Sequence, residues 1–301
     1  QQKITIYTKM LQDIALDVYN KIISQCNNSI LLQDILESGN KYLKEQCTLH
    51  NCSVLYPVVI SLDNVMYHGL ASGKLTEKSV LKIDFAINKD DSIYFLGETY
   101  SKNPEDKEVL KFLNTIQTKL VKKFEKKAFP TNDEVSLYIQ RKCIENKYNL
   151  IENCKSYQYM DKLLYSDDSK YIICNYTKYY TDDDFLYQAN DCEDLESGEI
   201  YVINITVYKD TEDIVKYKID EEPHLAFFNN QVYMLKLKSS REFYSRTKTA
   251  NSNNVFYCYK YNSISDKIGK KECIKNNILE PLYSETCNQV TYSKKFVVKI
   301  P

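Results

Sequence analysis

The chain has 301 residues, of which 43% are hydrophobic, with 40 Lys plus Arg against 41 Asp plus Glu and a formal net charge of −1. That balance excludes a protein-wide field for nucleic acid or membrane, so any such contact must come from a local patch. The 10 cysteines include no C-x-x-C pair and no apolar run reaches membrane length, which argues against a zinc ribbon or a spanning protein and for reduced thiols.

Leu11, Ile14, Val18 and Ile22 recur at helical spacing and predict a first helix, with a second over 29–45. Strands then dominate to Tyr100. Residues 79–86 read as a buried strand, and 93–96 as its hairpin partner across Asn88-Lys89-Asp90-Asp91. Asn103-Pro104 opens a long helix whose Val109, Leu113, Ile116, Leu120 and Phe124 form one apolar stripe. Lys119, Lys122, Lys123 and Lys126 lie off that stripe, as a solvated face would. Thr131 with Glu134 predicts a capping box that opens a further helix, ending near Asn146. Strand character returns at 200–207 and again from Tyr217 to Leu237. A short helix is expected from Lys270 to Leu279, stopped by Pro281, and 290–301 reads as a last strand. This order predicts an α+β fold, with an antiparallel sheet covered by helices.

The run Lys82-Ile83-Asp84-Phe85 carries the sharpest chemical hint. A two-metal hydrolase needs several carboxylates and a histidine converging on cations roughly 3.5–4 Å apart. The run resembles the metal-binding strand of the methionine aminopeptidases, the pita-bread family, whose returning strand supplies a second ligand Asp. Phe95 stands at that position here. Tyr56-Pro57 through Asn64 to His68 resembles the strand-turn-strand that leads to the family's active-site histidine, so His68 is expected as a relict of that pocket. Cys154-Lys155-Ser156-Tyr157-Gln158 resembles the segment of the ligand histidine, and Gly198-Glu199-Ile200 through Asn204 that of the first ligand Glu. The last strand aligns Lys294 with the second ligand Glu. The degenerate positions are then Asp84, Phe95, Tyr157, Asn204 and Lys294. A lysine ammonium has no lone pair to give a metal. The resemblance therefore implies no metal, no cofactor and no peptidase activity, with an Asp84–Lys294 ion pair in place of the metal.

Within the family the chain is most similar to the inactive branch of proliferation-associated, ErbB-receptor-binding proteins and the related export factor of the large ribosomal subunit. Thr8-Lys9-Met10 with Asp13-Ile14-Ala15 resembles that branch's first helix, and residues 234–244, with the core Lys238-Ser239-Ser240-Arg241-Glu242-Phe243, resemble its insert. The implied organisation is one pita-bread domain over 1–301 with an insert at about 218–280. The implied function is a non-enzymatic, ribosome-associated factor on the large subunit near the polypeptide exit, acting in translation, ribosome dormancy or subunit biogenesis. Its partners would be rRNA and tunnel-exit proteins, with no membrane. The protein is expected to be a monomer, cytoplasmic, with a nuclear or nucleolar pool as the second expectation. Basic residues mixed with aromatics suit RNA, which nominates Lys236, Lys238, Arg241, Phe243, Arg246, Lys248, Lys267, Lys270 and Lys271. Two alternatives stand beside this reading: a divergent metal-dependent methionine aminopeptidase, and a peptide- or histone-binding scaffold.

Overall fold

A computed structural model describes residues 2–26, 30–69, 73–152, 154–160, 169–174, 178–180, 185–187, 192–209, 215–218, 225–229, 234–251, 255–257, 260 and 263–301. The helices are α1 (Gln2–Gln25), α2 (Leu32–Leu49), α3 (Lys107–Glu125), α4 (Asn132–Glu145), α5 (Lys238–Asn251) and α6 (Ile264–Lys275). The first strands are β1 (Ser53–Leu62), β2 (Val65–Tyr67), β3 (Val80–Lys89), β4 (Ser92–Ser101), β5 (Asn149–Leu150), β6 (Cys154–Tyr159), β7 (Tyr171–Cys174), β8 (Lys178–Tyr180) and β9 (Phe185–Tyr187). The chain continues through β10 (Ile200–Tyr208), β11 (Lys216–Lys218), β12 (Leu225–Phe228), β13 (Phe256–Tyr257), β14 (Leu279–Leu282), β15 (Glu285–Cys287) and β16 (Thr291–Lys299).

One antiparallel sheet organises the molecule, in the order β1-β3-β4-β16-β10-β6-β7, with β5 also on β10. Successive side chains of a strand point to opposite faces, and here the two faces differ. Ile83, Phe85 and Ile87 of β3 pack against Leu11, Ile14, Val18 and Ile22 of α1 and against α2. Ile203, Ile205 and Val207 of β10, with Phe296 and Val298 of β16, pack against the stripe of α3 and against Val135 and Ile139 of α4. Both helix pairs thus cover the same face, the architecture expected from the sequence.

On the opposite face, Leu55, Tyr56, Val59, Phe95 and Val202 meet Leu225, Val255 and Tyr257. Leu225 and Tyr257 belong to a three-stranded sheet, β13-β12-β14. The Tyr257 hydroxyl donates to Val58 O, and Val255 N donates to Leu55 O at 3.2 Å. Beyond this small sheet α5 and α6 pack on each other. Gly269 allows their approach, since a Cβ there would stand 2.6 Å from Phe243 Cβ.

Three local expectations are corrected. Thr131 caps α4 without a side-chain hydrogen bond, and its backbone instead bridges to Asp194. The neighbouring Asn132 side chain ties this corner, accepting from Glu193 N at 3.0 Å and donating to Tyr171 O at 3.0 Å. The helix expected from Lys270 begins six residues earlier, at Ile264, where Ser263 and Asp266 form a reciprocal capping box. It ends at Lys275, and residues 279–282 are strand, with Pro281 opposite Ala226. Strand character between Tyr217 and Leu237 is confined, among the described residues, to β11 and β12. No helix among the described residues is long and apolar enough to cross a membrane.

Candidate functional site: a lysine-filled pocket and a basic insert

The pocket follows from strand parity. Asp84 of β3 faces Gly97 of β4, Gly97 faces Lys295 of β16, and Lys295 faces Asn204 of β10. Residues directly opposite in antiparallel strands share a face, so these four form one row on the side away from the helices. A second row beside it holds Ala86 opposite Phe95, and Val202 opposite both Val297 and Tyr157. The nominated positions Asp84, Phe95, Tyr157 and Asn204 therefore do share one face.

Lys294 does not. Its ammonium lies on the helix side, donating to the Glu98 carboxylate and to Asn114 Oδ1 of α3 at 2.8 Å. The ammonium that meets Asp84 belongs to the next residue, Lys295, in an ion pair whose side chains are 12% and 3% exposed. The expected Asp84–Lys294 pair is thus replaced by Asp84–Lys295. The reason is the period of two: Phe296, Val298 and Ile300 belong to the helix-side core, which sends Lys294 the same way and Lys295 the other.

Gly97 makes the pair possible. A Cβ on it would stand 2.4 Å from Lys295 Cβ and 2.9 Å from Asp84 Oδ1, so the lysine stem crosses β4 only over a residue without a side chain. Asp84 Oδ2 takes the ammonium, while Oδ1 is buried with no hydrogen-bond partner among the described residues. The Lys295 ammonium also lies 6.0 Å from the centre of the Phe95 ring, which packs on Tyr56 at 5.7 Å. This is a cation–π contact where the resemblance expects a carboxylate. Asn204 is held by its own and the neighbouring strand, donating to Lys155 O of β6 at 3.3 Å and accepting from Thr206 Oγ1 of β10 at 3.1 Å. Tyr157 packs edge-on against Tyr171 at 5.7 Å, and burial raises its hydroxyl pKa.

His68 follows β2 with φ +59, a left-handed backbone that a residue with a side chain rarely adopts. Tyr56 Oη lies 3.2 Å from its Nδ1. Burial, helped by the nearby Lys295 ammonium, pushes its pKa down to about 3, so the ring is neutral. Gly69 anchors the turn at φ +62, where a Cβ would stand 2.7 Å from Ile60 O, and its N–H donates to Ser61 Oγ at 3.0 Å.

Sequence reasoning missed two members of the site, Lys295 and Lys82. Lys82 shares the face of Asp84, is buried, and donates to Asp63 O and to Thr291 O at 3.0 Å. Burial pushes its pKa down to about 7. The available signal was Lys82-Ile83-Asp84 itself, two charges at strand spacing inside an apolar run. Among the described residues no group of three or more His, Cys, Asp or Glu side chains is placed to hold a metal ion.

The insert residues divide by exposure. Lys236, Lys238, Lys267 and Lys271 face solvent. Arg241 Nη1 donates to Leu235 O at 2.9 Å and Lys236 O at 2.8 Å, closing the start of α5. Arg246 pairs with Asp266, and Lys248 Nζ donates to Tyr244 Oη at 2.8 Å. Phe243 is corrected: at 1% exposed it packs with Phe228 and Phe256 in the insert core and presents no ring for stacking. Lys270 is corrected as well, because it is buried on α6. On α3, Lys119, Lys122 and Lys126 are exposed, whereas Lys123 lies over the rings of Phe129 and Tyr138 at 5.4 and 4.9 Å.

Known proteins share this architecture. The sequence is 25% identical over 317 residues to ERBB-3 binding protein 1 of Solanum tuberosum, covering 95% of this chain and 77% of that protein. The fold superposes on a thermophilic Arx1 with a TM-score of 0.77 at 15% identity, covering 99% of this chain and 88% of the other. It superposes on the methionine aminopeptidase of Rickettsia prowazekii with a TM-score of 0.54 at 14% identity, covering 73% and 86%. No family model matches the sequence. The fold is the pita-bread fold of the methionine aminopeptidases, and the chain resembles ERBB-3 binding protein 1 along nearly its whole length.

Proposed function

We propose that this chain is a non-enzymatic, ribosome-associated factor, one domain with an insert at about 218–280 that docks on the large subunit near the polypeptide exit. The observation that carries the reading is the Asp84–Lys295 ion pair in the pocket. A two-metal hydrolase needs converging carboxylates and a histidine. Here the carboxylate of the row is neutralised by an ammonium, Phe95 offers a ring, and the Asn204 amide is engaged with Lys155 and Thr206. His68 is turned to Tyr56. That donor set does not fit a metal pair, and the reading takes no hydrolytic step through one.

With the pocket filled from within, the outer surface is left to bind. The resemblance to the inactive, ribosome-linked branch supports the large subunit as partner. The exposed ammonium groups of Lys236, Lys238, Lys267 and Lys271 are suited to rRNA phosphates, with tunnel-exit proteins alongside. The protein would then act in the cytoplasm, and in the nucleus if it joins subunits during assembly.

Sedimentation with separated ribosomal subunits over a salt series tests the reading. Retention on the large subunit that weakens as salt rises is expected. Charge reversal at Lys236, Lys238 and Lys271 should release the protein. Absence from every ribosomal fraction at physiological salt overturns the proposal, and retention of the reversed variant removes the insert as the contact.

A further inference from the structure

Away from the pocket and the insert, the end of α2 brings two thiols and an ammonium together. His50 N donates to Gln46 O at 3.1 Å and Cys52 N to Cys47 O at 2.9 Å, with Asn51 between them at φ +51. This is the six-residue closure of a helix by a left-handed residue. It folds Cys52 back over the last turn, beside the Cys47 side chain, as this closure brings its first and sixth residues together. Lys89, at the end of β3, reaches the same turn and donates to His50 O at 2.9 Å. Cys47 is 3% exposed, while Cys52 is half-buried and open to a small solute.

Exposure divides the work between the sulfurs, since Cys47 is buried and Cys52 is reached from solvent. The Cys47 pKa is raised by its neighbour Cys52 and by burial. The Cys52 pKa is lowered by its neighbour Cys47, against burial, and the Lys89 ammonium lowers it further. The buried thiols Cys26, Cys143, Cys174, Cys273 and Cys287 are pushed the other way by burial. A thiolate is the nucleophile, and sensor thiols combine exposure with a second thiol close by.

We propose that Cys47 and Cys52 form a dithiol modification site, oxidised by hydrogen peroxide or a small hydroperoxide to a disulfide that staples the end of α2 to the approach to β1. In the first step the Cys52 thiolate attacks one peroxide oxygen. The O–O bond breaks, the departing hydroxide or alkoxide takes a proton and leaves as water or the alcohol, and Cys52 becomes a sulfenic acid. In the second step the Cys47 sulfur attacks that sulfur, losing its proton, and the sulfenic hydroxyl leaves as water. Two thiols are oxidised by two electrons in total and one peroxide is reduced by two.

The test treats the full-length protein with a few equivalents of hydrogen peroxide, removes the excess with catalase, denatures, alkylates free thiols and digests with chymotrypsin. Cleavage after Leu49 separates the two cysteines, so the expected product is a linked pair of peptides, two hydrogen masses lighter than their sum. Cys192 is exposed and serves as the internal comparison. In Cys47→Ser, Cys52 should stop at a sulfenic acid trapped by dimedone; in Cys52→Ser, Cys47 should remain fully alkylatable. Oxidation of Cys192 with Cys47 and Cys52 both still free overturns the proposal, as does Cys52 joined to any other cysteine or to a second chain. The wild-type digest decides this by itself, so a variant that fails to fold does not shelter the idea.

Discussion

The inner row of the pocket and the outer side of the insert use the same residue type in opposite ways. In the pocket, Lys82 is buried and Lys295 has a side chain 12% exposed, and they donate to Asp63 O, Thr291 O and the Asp84 carboxylate. On the insert, Lys238 has a side chain 85% exposed and a long contact, 3.7 Å, with Glu242. A buried ion pair holds its surroundings in place and cannot be removed one partner at a time without stranding the other charge. An exposed ammonium contributes little to folding and stays available to another molecule. Under the proposed function, the contrast is how a scaffold of this fold is kept without its chemistry: the pocket becomes core, and contact moves outside.

The contrast is broken most directly at its centre. Asp84→Ala or Lys295→Met should each destabilise the protein by about 3–5 kcal/mol, the loss typical of stranding one charge of a buried pair. Replacing both, Asp84→Ala with Lys295→Met, should recover part of it; denaturant unfolding of the three variants closes the cycle. In the insert a core aromatic should rank with the ion pair, so Phe243→Ala is expected to cost about 3–5 kcal/mol. Gly97→Ala should follow at about 1–3 kcal/mol, because its methyl collides with the lysine stem, and equal stability of this variant would show that the stem can move aside.

Acid sharpens the comparison. The folded-state pKa of His68 is lowered from 6.5 to about 3, so between those values the unfolded chain binds a proton that the folded protein refuses. Stability is therefore full above pH 6.5 and falls as pH drops, by up to about 1.4 kcal/mol per pH unit from this group. His68→Asn should flatten that part of the profile, read from unfolding midpoints between pH 7 and pH 4 against wild type. The smallest effect is expected outside: Lys236→Glu and Lys238→Glu should change folding stability by no more than about 0.5 kcal/mol. A loss of ribosome binding by these two variants would then be a loss of contact.

Much of the fold was legible because its signals are local. Ile83, Phe85 and Ile87 alternate with Asp84 and Ala86, and Asp90-Asp91 closes the hairpin to β4, so the strands could be placed from the run alone. The start of α6 was missed because Ser263-x-x-Asp266 is a weaker capping pattern than one ending in Glu, and a later lysine pair drew the boundary forward. At the site, Asp84, Phe95, Tyr157 and Asn204 could be nominated from motifs, but the choice between Lys294 and Lys295 rested on parity, set by Phe296 and Val298 downstream. Phe243 looked like a stacking ring beside Lys238 and Arg241, and its packing with Phe228 and Phe256 and the approach of Gly269 on another helix show it to be core. Contacts far apart in the chain, such as Lys82 with Thr291, leave no local trace at all.

The doublet Lys294-Lys295 has an acidic partner on each side of the sheet, Glu98 beneath the helices and Asp84 opposite. Sliding β16 by one residue would exchange the two ammonium groups and still give each carboxylate a cation. Electrostatics is therefore nearly blind to the direction in which this strand is threaded. Orientation falls to the apolar side chains Phe296, Val298 and Ile300, which a slip would carry from the core to the wrong face. A deletion of one residue before Lys294 should accordingly be read by the protein as an error of greasiness and not of charge.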